Sequence, residues 1–294
     1  MKNRLFKTIS LCALLGAGVV TFTTAQNYSS DDRPTIAAST DDLARVMASW
    51  TLPAELREVS GIALLDDGLM ACVQDEEGAI YLYDLEQKAV TGKIPFAGPG
   101  DYEGIVLHQN TAYILRSDGA VLEVKDFRSG KPAVTEHASI LPISQNTEGL
   151  ALDEKNNRLL IACKGYDEKF GPVKTIFALP LDSKQMQETP AIIIPLAQEQ
   201  LKTTSGKKKD PYAVLQPSSL EIHPQTGELY LLDAVNHRLL VINEQGTIQK
   251  TVELDKDLFR QAEGLSFGPN GEMYIASEGS KKGSGVIVKY GKGI

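Results

Sequence analysis

The chain carries three cysteines, one tryptophan and four histidines in 294 residues, and each scarcity removes a class of chemistry. Cys12, Cys72 and Cys163 cannot build a disulfide scaffold. Cys72 and Cys163 fall at matching positions of two repeat units with another unit between them, too far apart to bridge, so they read as small apolar side chains. Cys12 lies early in an apolar run without the small residue expected before a lipidated cysteine. His108, His137, His223 and His237 stand at no ligand-like spacing, and with no paired cysteines this excludes a zinc site. A surplus of positive charge is also missing. The formal net charge is −8, and the basic footprint of a nucleic-acid binder is absent beyond Lys207 to Lys209. There is no Gly-x-Ser-x-Gly elbow and no Ser/His/Asp set nominated by spacing. Gly279 to Gly285 precedes a strand rather than a helix, so it reads as a hairpin and not as a phosphate loop.

One long apolar run is present, at the N-terminus. Lys2, Arg4 and Lys7 precede Ile9 to Val20, and Thr23-Thr24-Ala25 supplies small residues before Gln26, the pattern of an export signal. The span Thr8 to Ala25 is near the short limit for a membrane helix, so residues 1–25 are expected to be a cleaved signal or an N-terminal anchor. Residues 26–42, rich in Ser, Asp, Thr and Pro, read as a flexible linker. Residues 43–294 are expected to form one domain.

That domain is a repeat. Thr147 to Lys164 holds one copy, Thr-Glu-Gly-Leu-Ala-Leu-Asp, a polar turn, then Leu159 to Lys164. Glu103-Gly104-Ile105 and Glu263-Gly264-Leu265 repeat the Glu-Gly step, and Ser60-Gly61-Ile62 and Ser218-Ser219-Leu220 vary it. The steps recur at roughly 45 residues, each followed by short apolar strands, which is the signature of a β-propeller. Asp-Gly at Asp67-Gly68 and Asp118-Gly119 marks hairpins, because glycine supplies the positive φ of the tight turn. One step, from Gly149 to Ser219, runs to roughly 70 residues; its excess, the longer loop Gly165 to Pro172 and the segment Leu201 to Gln216, reads as loop insertion rather than as a further blade. Five units result, the last of them short of a fourth strand. The period-two segment Ala44 to Leu52 is expected to supply it, closing the ring and removing an open edge. The fold expected is therefore all-β, a five-bladed propeller of four-stranded blades.

The residues Leu56-Arg57-Glu58-Val59-Ser60-Gly61-Ile62-Ala63, Tyr102-Glu103-Gly104-Ile105, Thr147-Glu148-Gly149-Leu150-Ala151, Pro217 to Pro224 and Ala262-Glu263-Gly264-Leu265 together resemble the SdiA-regulated (YjiK-like) family of bacterial envelope proteins. The resemblance runs from about Trp50 to the end. It implies a five-bladed propeller, distantly similar to NHL-repeat propellers, with a bound calcium ion and no established reaction.

The first strand of each blade lines the channel, so Ser60, Glu103, Glu148, Ser218 and Glu263 are expected to converge at its mouth. Carboxylates forced together either take up protons or accept a cation. On the residues alone they could equally line a hydrated channel or bond backbone amides; the resemblance favours calcium. The three glutamates are the expected ligands, with Ser60 and Ser218 as secondary ones. Asp233, Asn236, His237 and Arg238 read as a set that ties one blade's turn together. Asp75, Glu76, Glu77 and Glu278 read as an acidic rim that keeps the protein soluble. Trp50, Tyr81, Tyr83, Tyr113, Tyr230 and Tyr274 are expected to fill space between blades. The leading expectation is an exported, periplasmic or envelope-bound monomer without catalytic activity, offering a loop face to a protein or glycan. The competing one is a calcium-dependent, lactonase-like or esterase-like hydrolase, with Asp233 or Glu278 as base beneath an open pocket.

Overall fold

A computed structural model describes residues 45–202 and 210–294. The expected signal or anchor 1–25, the linker 26–42 and the lysine cluster 207–209 lie outside the described residues. Within them, the strands form five separate four-stranded antiparallel sheets. Blade 1 is β2 (Val59–Leu64), β3 (Leu69–Gln74), β4 (Ala79–Asp84) and β5 (Ala89–Pro95). Blade 2 is β6 (Tyr102–His108), β7 (Thr111–Arg116), β8 (Val121–Lys125) and β9 (Ala133–His137). Blade 3 is β10 (Thr147–Asp153), β11 (Arg158–Cys163), β12 (Val173–Pro180) and β13 (Ile192–Pro195). Blade 4 is β14 (Ser219–Ile222), β15 (Leu229–Asp233), β16 (Arg238–Ile242) and β17 (Ile248–Glu253). Blade 5 is β18 (Ala262–Phe267), β19 (Met273–Ser277) and β20 (Val286–Tyr290), completed by β1 (Val46–Thr51).

The closing strand is where the sequence put it. β1 runs antiparallel to β20, with Trp50 opposite Ile287 and Ser49 opposite Val288, and Leu52 N–H donates to Gly285 O at 2.8 Å. Trp50 Nε1 donates to Leu85 O of blade 1 at 2.7 Å, so the strand also fastens blade 5 to blade 1.

Every blade is apolar on both faces because each is sandwiched between two others. In β7, Ala112 and Ile114 pack toward blade 1 while Tyr113 and Leu115 pack toward blade 3. In β15, Leu229 and Leu231 face blade 3 while Tyr230 and Leu232 face blade 5. The period-two geometry of a strand thus produces continuous apolar runs, and the core is five clusters, one per blade junction. Tyr81, Tyr83 and Tyr274 fill one junction, Tyr113 and Tyr230 two others. Cys72 and Cys163 are buried free thiols in different junctions. Burial pushes both thiols up, Cys163 to about 12, so neither is a nucleophile at neutral pH.

The long step in the repeat holds no sixth sheet among the described residues. Its two ends are anchored instead: Leu201 and Leu215 are buried between blades 3 and 4. Tyr212 stacks on Tyr166 with ring centroids 3.6 Å apart.

Candidate functional site

The Glu-Gly step is a β-bulge. In β2, β6, β10 and β18 the register against the second strand slips between Val59 and Gly61, Tyr102 and Gly104, Thr147 and Gly149, and Ala262 and Gly264. Ser60, Glu103, Glu148 and Glu263 are the extra residues, and a bulge re-aims the side chain it carries. Ser218 sits at the equivalent place ahead of β14, its N–H donating to Leu232 O at 2.9 Å.

The glycine that follows lets the inner strands touch. A Cβ on Gly61 would lie 2.9 Å from the Gly104 Cα, one on Gly149 2.9 Å from the Leu220 Cβ, and one on Gly264 3.0 Å from the Ile62 side chain. The five inner strands are therefore drawn around one axis in matching register, and their first residues share one mouth.

The five equivalent positions divide by chemistry. Ser60 Oγ donates to Tyr102 O of blade 2 at 2.5 Å. Ser218 Oγ donates to Ala262 O of blade 5 at 2.8 Å and accepts from Ala234 N–H at 3.1 Å. Both hydroxyls fasten one blade to the next. An ionised glutamate cannot donate in this way, and the three glutamates instead bring negative charge to the mouth. Glu103 is pushed above the usual carboxylate range by burial and by the charges of Glu148 and Asp101. Glu263 is pushed up by burial, by Glu278 and by the other two glutamates. Glu148 is pushed up by burial although Lys164 opposes the shift.

Lys164 also belongs to this mouth, although the sequence alone does not single it out. Its Nζ lies 2.7 Å from Glu148 Oε1, and Glu148, Glu263 and Glu103 all raise its pKa. Asn146 Nδ2 donates to the same Glu148 oxygen at 2.7 Å. The buried Lys174 donates to the carbonyls of Lys164 and Gly165, fixing the backbone that presents Lys164. The available signal is position: Lys164 directly follows β11, at the end of the blade where β10 begins with Thr147 and Glu148.

Asp75, Glu76 and Glu278 extend the acidic mouth. Asp75 is pushed up to about 6 by burial and by Glu278, Glu58 and Glu76, and its buried Oδ1 has no hydrogen-bond partner. Glu77 is set apart from them, bonded to Tyr81 and Lys93. Gln261 Nε2 bridges Glu278 Oε2 at 2.6 Å and Glu263 Oε1 at 3.4 Å.

Asp233 is not part of this site. It is fully buried and accepts from Arg238 Nε at 3.0 Å, Arg238 Nη2 at 2.9 Å and Asn236 Nδ2 at 2.9 Å. Arg238 continues to the carbonyls of Val214 and Gln200, so the same set clamps both ends of the inserted segment. His237 stands apart, in the left-handed region at φ 50°, its Nδ1 3.3 Å from Phe259 O. Blade 3 carries the same arrangement at Asp153, Asn156 and Arg158, which the sequence reading passed over.

The donors at the mouth are hard oxygens whose charges repel one another enough to raise all three glutamates, and a divalent cation such as calcium suits such a set in kind and in charge. Among the described residues no three carboxylate, imidazole or thiol groups converge closely enough to hold an ion as they stand. Next to Lys164 and Glu263 the mouth holds a cleft of about 280 Å³. The larger cavity, about 1100 Å³, lies at the opposite mouth, where the inner strands end.

Solved structures share this architecture. A glutaminyl cyclase from Myxococcus xanthus matches with a TM-score of 0.59 at 14% identity over 85% of this chain and 97% of its own. A luciferin-regenerating enzyme matches at a TM-score of 0.50 and 13% identity, over 84% of this chain and 97% of its own. A chain of a nidogen/laminin complex matches at 0.50 and 19%, over 77% and 74%. At these identities the likeness is one of fold. No curated protein sequence matches the chain. The sequence profile of the SdiA-regulated family covers residues 51–281, from the end of the closing strand to the last hairpin, and the chain belongs to that family.

Proposed function

We propose that the protein is an exported, non-catalytic binding propeller of the cell envelope whose acidic mouth takes up calcium. The observation that carries this reading is the set of three glutamates, Glu148 buried and Glu103 and Glu263 half-buried, delivered by bulges of three different blades, with Lys164 as a cation among them. Like charges brought out of water repel, and a divalent cation relieves that repulsion while bracing the blades that supply the ligands. Glu103 and Glu263 would hold the ion, with Glu148 shared with Lys164. Ser60 and Ser218 serve as staples between blades.

The loops at this mouth also expose apolar side chains: Ile143 at 79%, Val235 at 54% and Tyr166 at 38%. They suit a protein or glycan partner that covers the acidic mouth. Export rests on the N-terminal pattern of basic, apolar and small residues. Among the described residues no helix is long and apolar enough to cross a membrane.

The hydrolase reading keeps Glu278 as a candidate base at the mouth, bonded to Gln261, but loses Asp233. Asp233 is consumed by Arg238 and Asn236, and the cleft beside Glu263 falls just under the usual size of a small-molecule site, roughly 300–1,000 Å³. The structural neighbours include enzymes and a component of a protein complex, so fold alone favours neither reading.

Calorimetric titration of the chelator-treated protein with calcium tests the proposal, alongside a Glu103→Gln/Glu263→Gln double variant. Binding by the parent and its loss in the variant are expected. A parent that gives no heat and no rise in melting temperature overturns the metal reading and leaves Lys164 as the counter-ion of Glu148. Turnover of lactones or esters by the calcium-loaded protein would overturn the non-catalytic part.

A further inference from the structure

The larger cavity is independent of the acidic mouth. Four positions after each residue at that mouth, at or next to the end of the inner strand, stands an apolar side chain: Leu64, Leu107, Leu152, Ile222 and Phe267, all lining the cavity. Within this apolar ring stands one carboxyl, that of Glu221. Its hydrogen bond comes from the adjacent Ile222 N–H at 2.9 Å, and among the described residues no cation perturbs it. The chemistry of the wall favours a positive ligand on two further counts. Phe267 presents an aromatic ring, which attracts cations through its face. At the rim Asp66, Glu154, Glu228 and Glu244 outnumber Lys155, since Asp153 and Arg158 neutralise each other at 2.7 Å. His223, packed edge-on to Phe267 at 4.8 Å, is held neutral by burial and adds no positive charge.

We propose that this cavity binds a small organic cation with an apolar body, the ammonium group paired with Glu221 and the hydrocarbon seated in the ring of Leu64, Leu107, Leu152, Ile222 and Phe267. At about 1100 Å³ it is spacious for such a ligand. An ionised carboxyl facing an apolar wall is costly until it is paired, so Glu221 keeps its proton in the free protein and releases it to solvent when the ammonium group supplies the partner the fold leaves out.

Octylammonium, octan-1-ol and octanoate share a chain length and differ in the head group, so titrating the full-length protein with each by calorimetry separates charge from hydrophobicity. Octylammonium is expected to bind about tenfold tighter than octanol or better, with octanoate the weakest. Glu221→Gln, nearly isosteric, should bring octylammonium down to the level of octanol, with its melting transition confirming a folded protein. Leu107→Trp should weaken octylammonium and octanol alike by filling the cavity. The proposal is overturned if octylammonium gives no binding, if octanol or octanoate binds as tightly, or if Glu221→Gln keeps the preference.

Discussion

Asp233 and Arg238 show how much one buried pair can organise. The carboxylate has no exposure, and its arginine carries on to two carbonyls of the inserted segment. Asp233→Ala would strand a buried guanidinium at a cost of about 3–5 kcal/mol. Thermal melting should show that loss, and limited proteolysis should cut the segment between Leu201 and Gln216 faster than in the parent. Glu221 makes a prediction of opposite sign. Burial pushes its carboxyl up to about 8, so the folded state holds a proton that the unfolded chain releases. Its contribution is fully present below an unfolded value of about 4.3 and is lost as pH rises toward 8. Glu221→Gln should therefore raise the melting temperature at alkaline pH and leave it nearly unchanged in mild acid. The Asp233 set was legible in the sequence because its spacing is local. Glu221 was not, since a polar residue between Leu220 and Ile222 reads as ordinary strand alternation.

At the scale of elements, bulge and glycine act together. The bulge turns the residue before Gly149 into the mouth, and Gly149 lets β10 approach β14 until a Cβ would stand 2.9 Å from Leu220 and from Ala162. Gly149→Ala should cost about 1–3 kcal/mol through overpacking, read as a lower denaturation midpoint with an unchanged slope. Strand β1 has the larger role. Removing residues up to Leu52 would expose the edge of β20 and empty the places of Trp50 and Leu52 in the junction of blades 5 and 1. The truncated protein should self-associate through that edge, seen as a concentration-dependent mass in light scattering. The hairpins and inner strands were legible from Asp-Gly turns and apolar runs. β9 was not, because its residues are largely exposed and carry little apolar pattern.

For the whole molecule, two kinds of carboxyl pull stability in opposite directions with pH. Glu123 of blade 2 is held at about 2 against the desolvation it suffers, by Lys184 of blade 3 at 2.9 Å, His137 at 3.0 Å and the Tyr113 hydroxyl at 3.1 Å. Its depressed value contributes stability above about 4.3 that disappears as pH falls toward 2. Glu103, Glu148, Glu263 and Glu221 are all raised, so their contribution fades as pH climbs. The melting temperature should peak near about pH 5 and decline on both sides. Calcium, on the reading proposed above, should lift the alkaline arm and leave the acid arm alone. Melting curves from acid to alkaline pH, with and without calcium, check both statements. A flat alkaline arm without calcium would contradict the raised carboxylates.

The sequence by itself determined the architecture: the repeat length, the five units, the closing strand and the family were all written in apolar runs, Asp-Gly turns and Glu-Gly steps, because these are local or periodic. It also placed the three glutamates at a common mouth, since equivalent residues of a closed ring must meet. The tertiary structure alone decided what those positions do. Ser60 and Ser218 became staples because a hydroxyl can donate to the neighbouring blade's carbonyl, while Lys164 entered the acidic mouth from the second strand. The cavity around Glu221 likewise exists only once five strand ends from distant parts of the chain are gathered around one axis. Pairing and cavity shape depend on three-dimensional proximity, which a one-dimensional pattern does not encode.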